Sequence, residues 1–290
     1  NNTGDANLDH WRKGTSDLLI TDLMQSRYLK VLGGDRLFEI LGQLDQLEAK
    51  GYSAEVLKKV AAQGGVDHIA RGSYSKAGDI LRIDMVLQNA RSGEPVATRR
   101  VEGKGEEGVF AMVDELTTWT KASLKISAEQ MASDPDSEIG QVTTSSPEAY
   151  QYFLEGRKLH YASQWQQSIP FMEKAIALDP GFAMAFRAMW TAYGNLGKAD
   201  EWKKYSQEAL RLSDRLPERE KLFIQGSAFY SVPSTYDKAI EAYGKLRAFY
   251  PESPEAVAAN INLAVIYIEI EEWDKAIESN ESAIKAGTRF

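Results

Sequence analysis

Apolar and polar positions alternate with two different periods along this chain. In the first half, Trp11, Thr15, Leu18, Leu19 and Leu23 share one helical stripe. Residues 28–32 are a short apolar run closed by Gly33-Gly34, which predicts a strand. Asp35 can cap a helix running through Leu47, and Ser53 another through Gln63, stopped by Gly64-Gly65. Three strand-like runs follow at residues 66–75, 80–89 and 95–102, with Ala77-Gly78-Asp79 and Ser92-Gly93 as their turns. Leu81, Ile83, Met85 and Leu87 alternate with more polar neighbours, as one buried sheet face requires. A last helix spans about residues 109–127. The order predicts an α+β domain, a mixed sheet with helices, over residues 1–127.

The second half repeats itself. Tyr236-Asp237-Lys238-Ala239-Ile240-Glu241 returns as Trp273-Asp274-Lys275-Ala276-Ile277-Glu278, 37 residues later, with Trp165-Gln166-Gln167-Ser168-Ile169 as a looser copy. Gly156, Gly226 and Ala264 form a column of small residues. Ala175, Ala209, Leu246 and Ala283 form another, with steps of 34, 37 and 37. Pro180 and Pro251 close units, since proline cannot donate the next helical hydrogen bond. This pattern resembles the tetratricopeptide repeat, a helix–turn–helix unit of about 34 residues. About four units fit residues 147–290, an all-α solenoid in which each unit buries its apolar face only against a neighbour. Trp190 stands where the second unit should have a small residue, and Trp202 where alanine is usual; that unit is expected to pack or tilt differently.

Gly72-Ser73-Tyr74-Ser75-Lys76-Ala77-Gly78-Asp79, Asn89-Ala90-Arg91-Ser92-Gly93-Glu94 and the opening Asn1-Asn2-Thr3-Gly4-Asp5 resemble turn motifs of the amino-terminal-domain family named after the periplasmic protein TolB. The resemblance implies that an apolar strand should precede Asn1, so the sheet is expected to lack its first strand and keep an open or covered edge. It brings no catalytic residues. The chain closes at Thr288-Arg289-Phe290 inside a helical pattern. An array truncated at that end is expected, with Ile277 and Ile284 in need of a neighbour and free to drive self-association. Residues 128–146, polar and rich in Ser, Thr, Gly and Pro, read as a linker. The two modules in this order are similar to the extracytoplasmic part of bacterial membrane signalling proteins, transmembrane Ser/Thr kinases and adenylate cyclases among them.

Charge and composition remove several function classes. Hydrophobic residues make up 43% of the chain, enough for two cores. A net charge of −8 disfavours nucleic acid and anionic membrane surfaces, which call for a basic face. With no cysteine there is no disulfide, thiolate metal site or cysteine nucleophile. No apolar run reaches the ~20 residues of a membrane span, so no direct membrane contact is expected of these residues.

Candidate chemistry is sparse. Gly103-Lys104-Gly105-Glu106-Glu107-Gly108 satisfies a dinucleotide fingerprint in letters, but its glutamates would face pyrophosphate, and the preceding strand belongs to an antiparallel meander. Residues 134–140 are a distorted copy of a calcium loop, read instead as solvated acid linker. His10, His68 and His160 lack ligand-spaced companions. Trp165, Trp190, Trp202 and Trp273 fall at repeat-packing positions and are expected in the core. No cofactor, metal site or catalytic set is expected, and the chain reads as a non-enzyme.

The remaining reading is a binding or scaffolding module for a protein or peptide: the sensory or protein-interaction ectodomain of a bacterial membrane signalling protein, extracytoplasmic and tethered by a segment outside these residues. A periplasmic or lipoprotein-type envelope assembly factor is the alternative. Resemblance to tetratricopeptide arrays implies a groove lined by the first helix of each unit. In the first unit the stripe is Tyr150, Phe153, Arg157, His160 and Tyr161, at offsets of 3, 7, 10 and 11. Arg187 and Asn195, then Phe223 and Tyr230, continue it. The competing reading packs that first stripe against the N-terminal domain.

Overall fold

The computed structural model describes residues 8, 10–49, 51–251 and 253–287. The chain divides into two compact units, Asn1–Pro180 and Gly181–Phe290.

In the first unit, helix α1 (His10–Leu23) buries Trp11, Leu18, Leu19 and Leu23 along the expected stripe. Helices α2 (Gly34–Gln43) and α3 (Ala54–Gly64) form a hairpin around Ile40, Leu41 and Val60. Helix α2 stops short of the expected Leu47. Asp45 takes a left-handed φ of 55°, and the Gln46 N–H bonds back to the Leu41 carbonyl at 2.8 Å, which satisfies a terminal helix carbonyl. Ser53 caps α3 by accepting from the Val56 N–H, as read from sequence.

Strands β1 (His68–Ala77), β2 (Ile80–Asn89) and β3 (Pro95–Lys104) form an antiparallel meander in the order β1-β2-β3. Leu81, Ile83, Met85 and Leu87 are all buried. Helix α4 (Gly108–Ser123) turns in Val109, Phe110, Met112, Val113 and Leu116 and packs on β3 and β2. The mixed sheet is corrected to an antiparallel one, because residues 28–32 form no strand. Their end is held elsewhere: Arg27 N–H donates to Asp134 Oδ1 at 2.8 Å, and Leu32 packs into the α2–α3 hairpin. The turn at residues 1–5, and with it the expected missing strand before Asn1, lies outside the described residues.

The stretch 128–146 is folded rather than a linker. It carries α5 (Ala128–Ser133), closed by a capping box between Ser127 and Gln130, and α6 (Ile139–Val142). Ile139 and Val142 are buried, and Ile139 N–H donates to Asp114 Oδ1 of α4 at 2.8 Å. The Thr144 hydroxyl donates to Asp179 at 2.8 Å. Its polar side chains are spent inside the fold, which its composition concealed. The first repeat, α7 (Pro147–Tyr161) and α8 (Trp165–Leu178), completes this unit, with Gly156 admitting Met172, whose Cε would lie 2.8 Å from an added Cβ.

The second unit holds three helix hairpins: α9 (Ala183–Asn195) with α10 (Ala199–Arg211), α11 (Glu218–Tyr230) with α12 (Tyr236–Phe249), and α13 (Pro254–Glu269) with α14 (Trp273–Gly287). Ala209, Leu246 and Ala283 are buried as the repeat pattern requires. At Gly226 a Cβ would stand 2.5 Å from the Tyr243 ring, so this helix crossing depends on glycine. Trp190 is accommodated in the irregular repeat by packing with Trp202 at 6.1 Å and Phe223 at 6.3 Å. Of the tryptophans expected in the core, Trp202 and Trp273 are instead 39% and 58% exposed, a correction; Trp202 keeps one edge against Trp190.

Candidate functional site

The stripe on α7 is an internal seam. Tyr150 and Phe153 are buried, and Trp11 of α1 stacks on Tyr150 at 6.3 Å. Asp17 Oδ2 of α1 accepts from the Tyr150 hydroxyl and from the Arg157 guanidinium, each at 2.8 Å. The same guanidinium lies over the Phe153 and Tyr161 rings at 5.6 and 5.4 Å. Tyr161 reaches α2, with Phe38 at 5.9 Å. Its hydroxyl would lie 2.7 Å from a Cβ on Gly34. His160 meets Trp165 edge to face at 4.6 Å. Tyr150, Arg157 and Tyr161 of this stripe thus pack against the N-terminal helices, while His160 packs on Trp165 within the repeat; Asp17, Phe38, Arg157 and Tyr161 also line a large cavity of this unit.

Electrostatics fit that seam. Burial opposes the charge on Arg157, but the Asp17 carboxylate and the neighbouring tyrosines outweigh it and hold the guanidinium above its ordinary range. Burial, with Asp17 beside it, pushes the Tyr150 hydroxyl well above its usual value.

A second, largely buried charge cluster links α9, α11 and α13, the first helices of the hairpins in the second unit. Arg187 of α9 pairs with Glu255 Oε1 of α13 at 3.0 Å. Arg219 of α11 pairs with Glu220 at 2.7 Å and reaches Glu255 Oε2 at 3.3 Å. Burial would raise the Glu220 carboxyl, yet Arg219 and Arg187 hold it below its ordinary value. Phe223 packs at 6.2 Å from Tyr243, and Tyr230 stacks on Tyr236 at 6.5 Å. Asn195 is exposed, its amide donating to the Thr191 carbonyl at 2.9 Å.

No family model matches the chain. A curated relative does: the TPR repeat-containing protein YpiA of Bacillus subtilis (strain 168) is 23% identical over 285 residues, covering 92% of this chain. The chain spans 62% of that relative's length. Among solved structures, the crystal structure of MamA is 19% identical, covering 50% of this chain and 82% of that one, at a TM-score of 0.34, a likeness too loose to bear on architecture. The repeat-bearing relative and the helix hairpins together support a protein of tetratricopeptide-repeat type.

Other sequence candidates resolve into structure. The carboxylate of Glu106, in the glycine-rich loop, accepts from Trp11 Nε1 at 2.8 Å and meets His10 Nε2 at 3.1 Å. Gly103 and Gly108 touch, so a Cβ at Gly103 would lie 3.0 Å from the Gly108 carbonyl; the glycines serve a tight strand–helix corner. Asp134, from the calcium-like stretch, is paired with the buried Lys121 at 3.0 Å. No group of three or more metal-capable side chains occurs among the described residues. Nor is any described helix long and apolar enough to cross a membrane.

The partners Asp17, Arg219, Glu220 and Glu255 were missed by sequence reasoning. Asp17 and Thr21 sit four apart on one face of an amphipathic helix, a polar pair bordering its apolar stripe, which was the one available signal.

Proposed function

We propose that the chain is a non-catalytic scaffold that binds proteins or peptides through its second unit, within the extracytoplasmic region of a bacterial membrane signalling protein. The observation that carries the scaffold reading is the succession of helix hairpins, with Gly156 and Gly226 at two of the crossings; the similarity to a TPR repeat-containing relative is in line with it. With Tyr150, Arg157 and Tyr161 engaged by the N-terminal helices, we assign the contact to the surface bearing Asn195, Phe223 and Tyr230, of which Asn195 is exposed and the two aromatics half-buried. The extracytoplasmic placement rests on the resemblance of the N-terminal domain. Its supports are the glycine turns at Gly78 and Gly93, with left-handed φ of 59° and 77°, and the Asn89 side chain, which accepts from Arg91 and Ser92 N–H at 2.9 Å each.

The test is a random-peptide display selection on the whole chain, followed by binding of the enriched peptides to Asn195→Ala and Tyr230→Ala. Enrichment of related peptides, with binding weakened about tenfold or more and melting unchanged, is expected. No enrichment, or binding indifferent to both substitutions, overturns the assignment. Export is tested separately by joining the native gene, with its upstream sequence, to a reporter active only outside the cytoplasm. An inactive reporter overturns the placement.

A further inference from the structure

Residues 134–139 cross α1 and α4 as a strap over a buried acid. Asp22 of α1 is 1% exposed. Its Oδ1 accepts from Gln25 at 2.7 Å, while Oδ2 is buried with no hydrogen-bond partner among the described residues, as is the Thr117 hydroxyl of α4. Gln25 also grips the strap: its amide donates to the Ser137 carbonyl at 2.8 Å and its Oε1 accepts from the Ser137 N–H at 3.3 Å. Asp134 and Asp136 of the strap both reach Lys121 of α4, at 3.0 and 3.3 Å, and Asp114 of α4 accepts from the Ile139 N–H at 2.8 Å. Four carboxyl groups, those of Asp22, Asp114, Asp134 and Asp136, therefore gather around the ammonium of Lys121. From α7, Arg157 touches the neighbouring Thr21 at 3.4 Å but is committed to Asp17. Glu138, at the far end of the strap, is exposed and accepts from Gln141.

We infer that Asp22 is a protonation latch for this strap: residues 134–139 lie closed over the neutral acid and lift when its carboxylate forms. As a carboxylate, Asp22 would hold an unsolvated oxygen facing Asp114 and Asp136, which is costly away from water. Burial, then Asp114 and Asp136, accordingly push its carboxyl up to about 7. Relief requires one side of the pocket to yield. Helix α4 cannot, since Val113, Leu116 and Thr117 are wholly buried. The strap can: of residues 134–139 only Asp134 and Ile139 are buried, and α5 before it buries no residue. Lifting it brings water to Asp22 and carries Asp136 away. The direction follows from linkage. The closed form binds the proton more tightly than the open one, so closure is fully favoured at low pH and is lost as pH rises toward 7. The strap leads from α4 into the first hairpin, so the latch sets how firmly that connection is held.

Hydrogen exchange of the whole chain between pH 5 and 8, read by NMR at the Ser137 and Ile139 amides and corrected for the intrinsic rate at each pH, tests this. Those amides should open more readily than β2 amides such as Ile83 and Met85 at every pH. Their opening constant should rise about tenfold per pH unit, one proton being released per opening, and level off above about pH 7. Asp22→Asn, which stays neutral throughout, should make the opening constant independent of pH. Asp136→Asn keeps the titrating acid but removes a facing charge, so its curve should level off at a lower pH than the parent's; this variant carries the test if Asp22→Asn does not fold. The inference is overturned if the parent shows no pH dependence, or if the dependence persists in Asp22→Asn and so belongs to Asp114. It is overturned equally if Ser137 and Ile139 open no more readily than β2, or if Asp136→Asn leaves the curve where it was.

Discussion

Arg157 of α7 and Asp17 of α1 meet at 2.8 Å in a largely solvent-shielded seam, with side chains 19% and 12% exposed. The contact ties the first repeat to the N-terminal helices, 140 positions away in sequence. Removing one partner of a buried pair leaves the other charged and unsatisfied. Arg157→Ala is therefore expected to cost about 3 kcal/mol, and more than Asp17→Asn with Arg157→Met combined. Urea unfolding of the two variants compares them; an Arg157→Ala cost below about 1 kcal/mol would contradict the seam.

Asp22 of α1 is buried, with Gln25 donating to Oδ1 at 2.7 Å. Desolvation, reinforced by Asp114 and Asp136, pushes its carboxyl up to about 7. The folded state thus favours the protonated acid more than the unfolded state does. Its stabilising contribution is complete below the ordinary value of 3.8 and is lost as pH rises toward 7, by at most about 4 kcal/mol. Asp22→Asn should flatten that slope between pH 4 and 7 in denaturant titrations. An unchanged slope would assign the pH dependence elsewhere.

Two glycines of the second unit should respond oppositely to alanine. Gly226→Ala drives a methyl into the Tyr243 ring, 2.5 Å away, and should destabilise by about 1–3 kcal/mol. Gly244, inside α12, has nothing within 4 Å of an added Cβ, so Gly244→Ala should stabilise by about 0.5–1 kcal/mol through helix propensity. Thermal melting distinguishes the signs directly.

Glu255 holds Arg187 and Arg219 at once. Glu255→Ala should cost about 3 kcal/mol, since the buried Arg219 and the partly exposed Arg187 lose their shared acceptor, whereas Arg187→Met should cost less. Chemical denaturation of both variants gives the order; the reverse order would mean that Arg219 and Glu220 suffice on their own.

Periodicity made the repeats and the meander legible: the columns Gly156/Gly226 and Ala175/Ala209/Ala283 locate helix crossings, and Leu81–Leu87 alternate as a buried sheet face. The failures share one cause. Residues 28–32 look like a strand, and residues 128–146 like a linker, to any local reading. Asp134 decides both, bonding the Arg27 backbone on one side and Lys121 on the other. The stripe on α7 had the right residues for a groove. What it lacked was Asp17, an acid more than a hundred positions earlier, which turns an aromatic and cationic surface inward. Local pattern reports which face is apolar or charged, but not what arrives to cover it.

The seam also sets where this protein can be cut and recombined. A chimera joined within residues 128–146, the obvious splice point by composition, would give each parent half of a shared core and leave Arg157 without its acid. A splice after Pro180 keeps Asp17, Arg157 and Tyr161 in one inheritance. The first hairpin is thus part of the same folding unit as the domain before it.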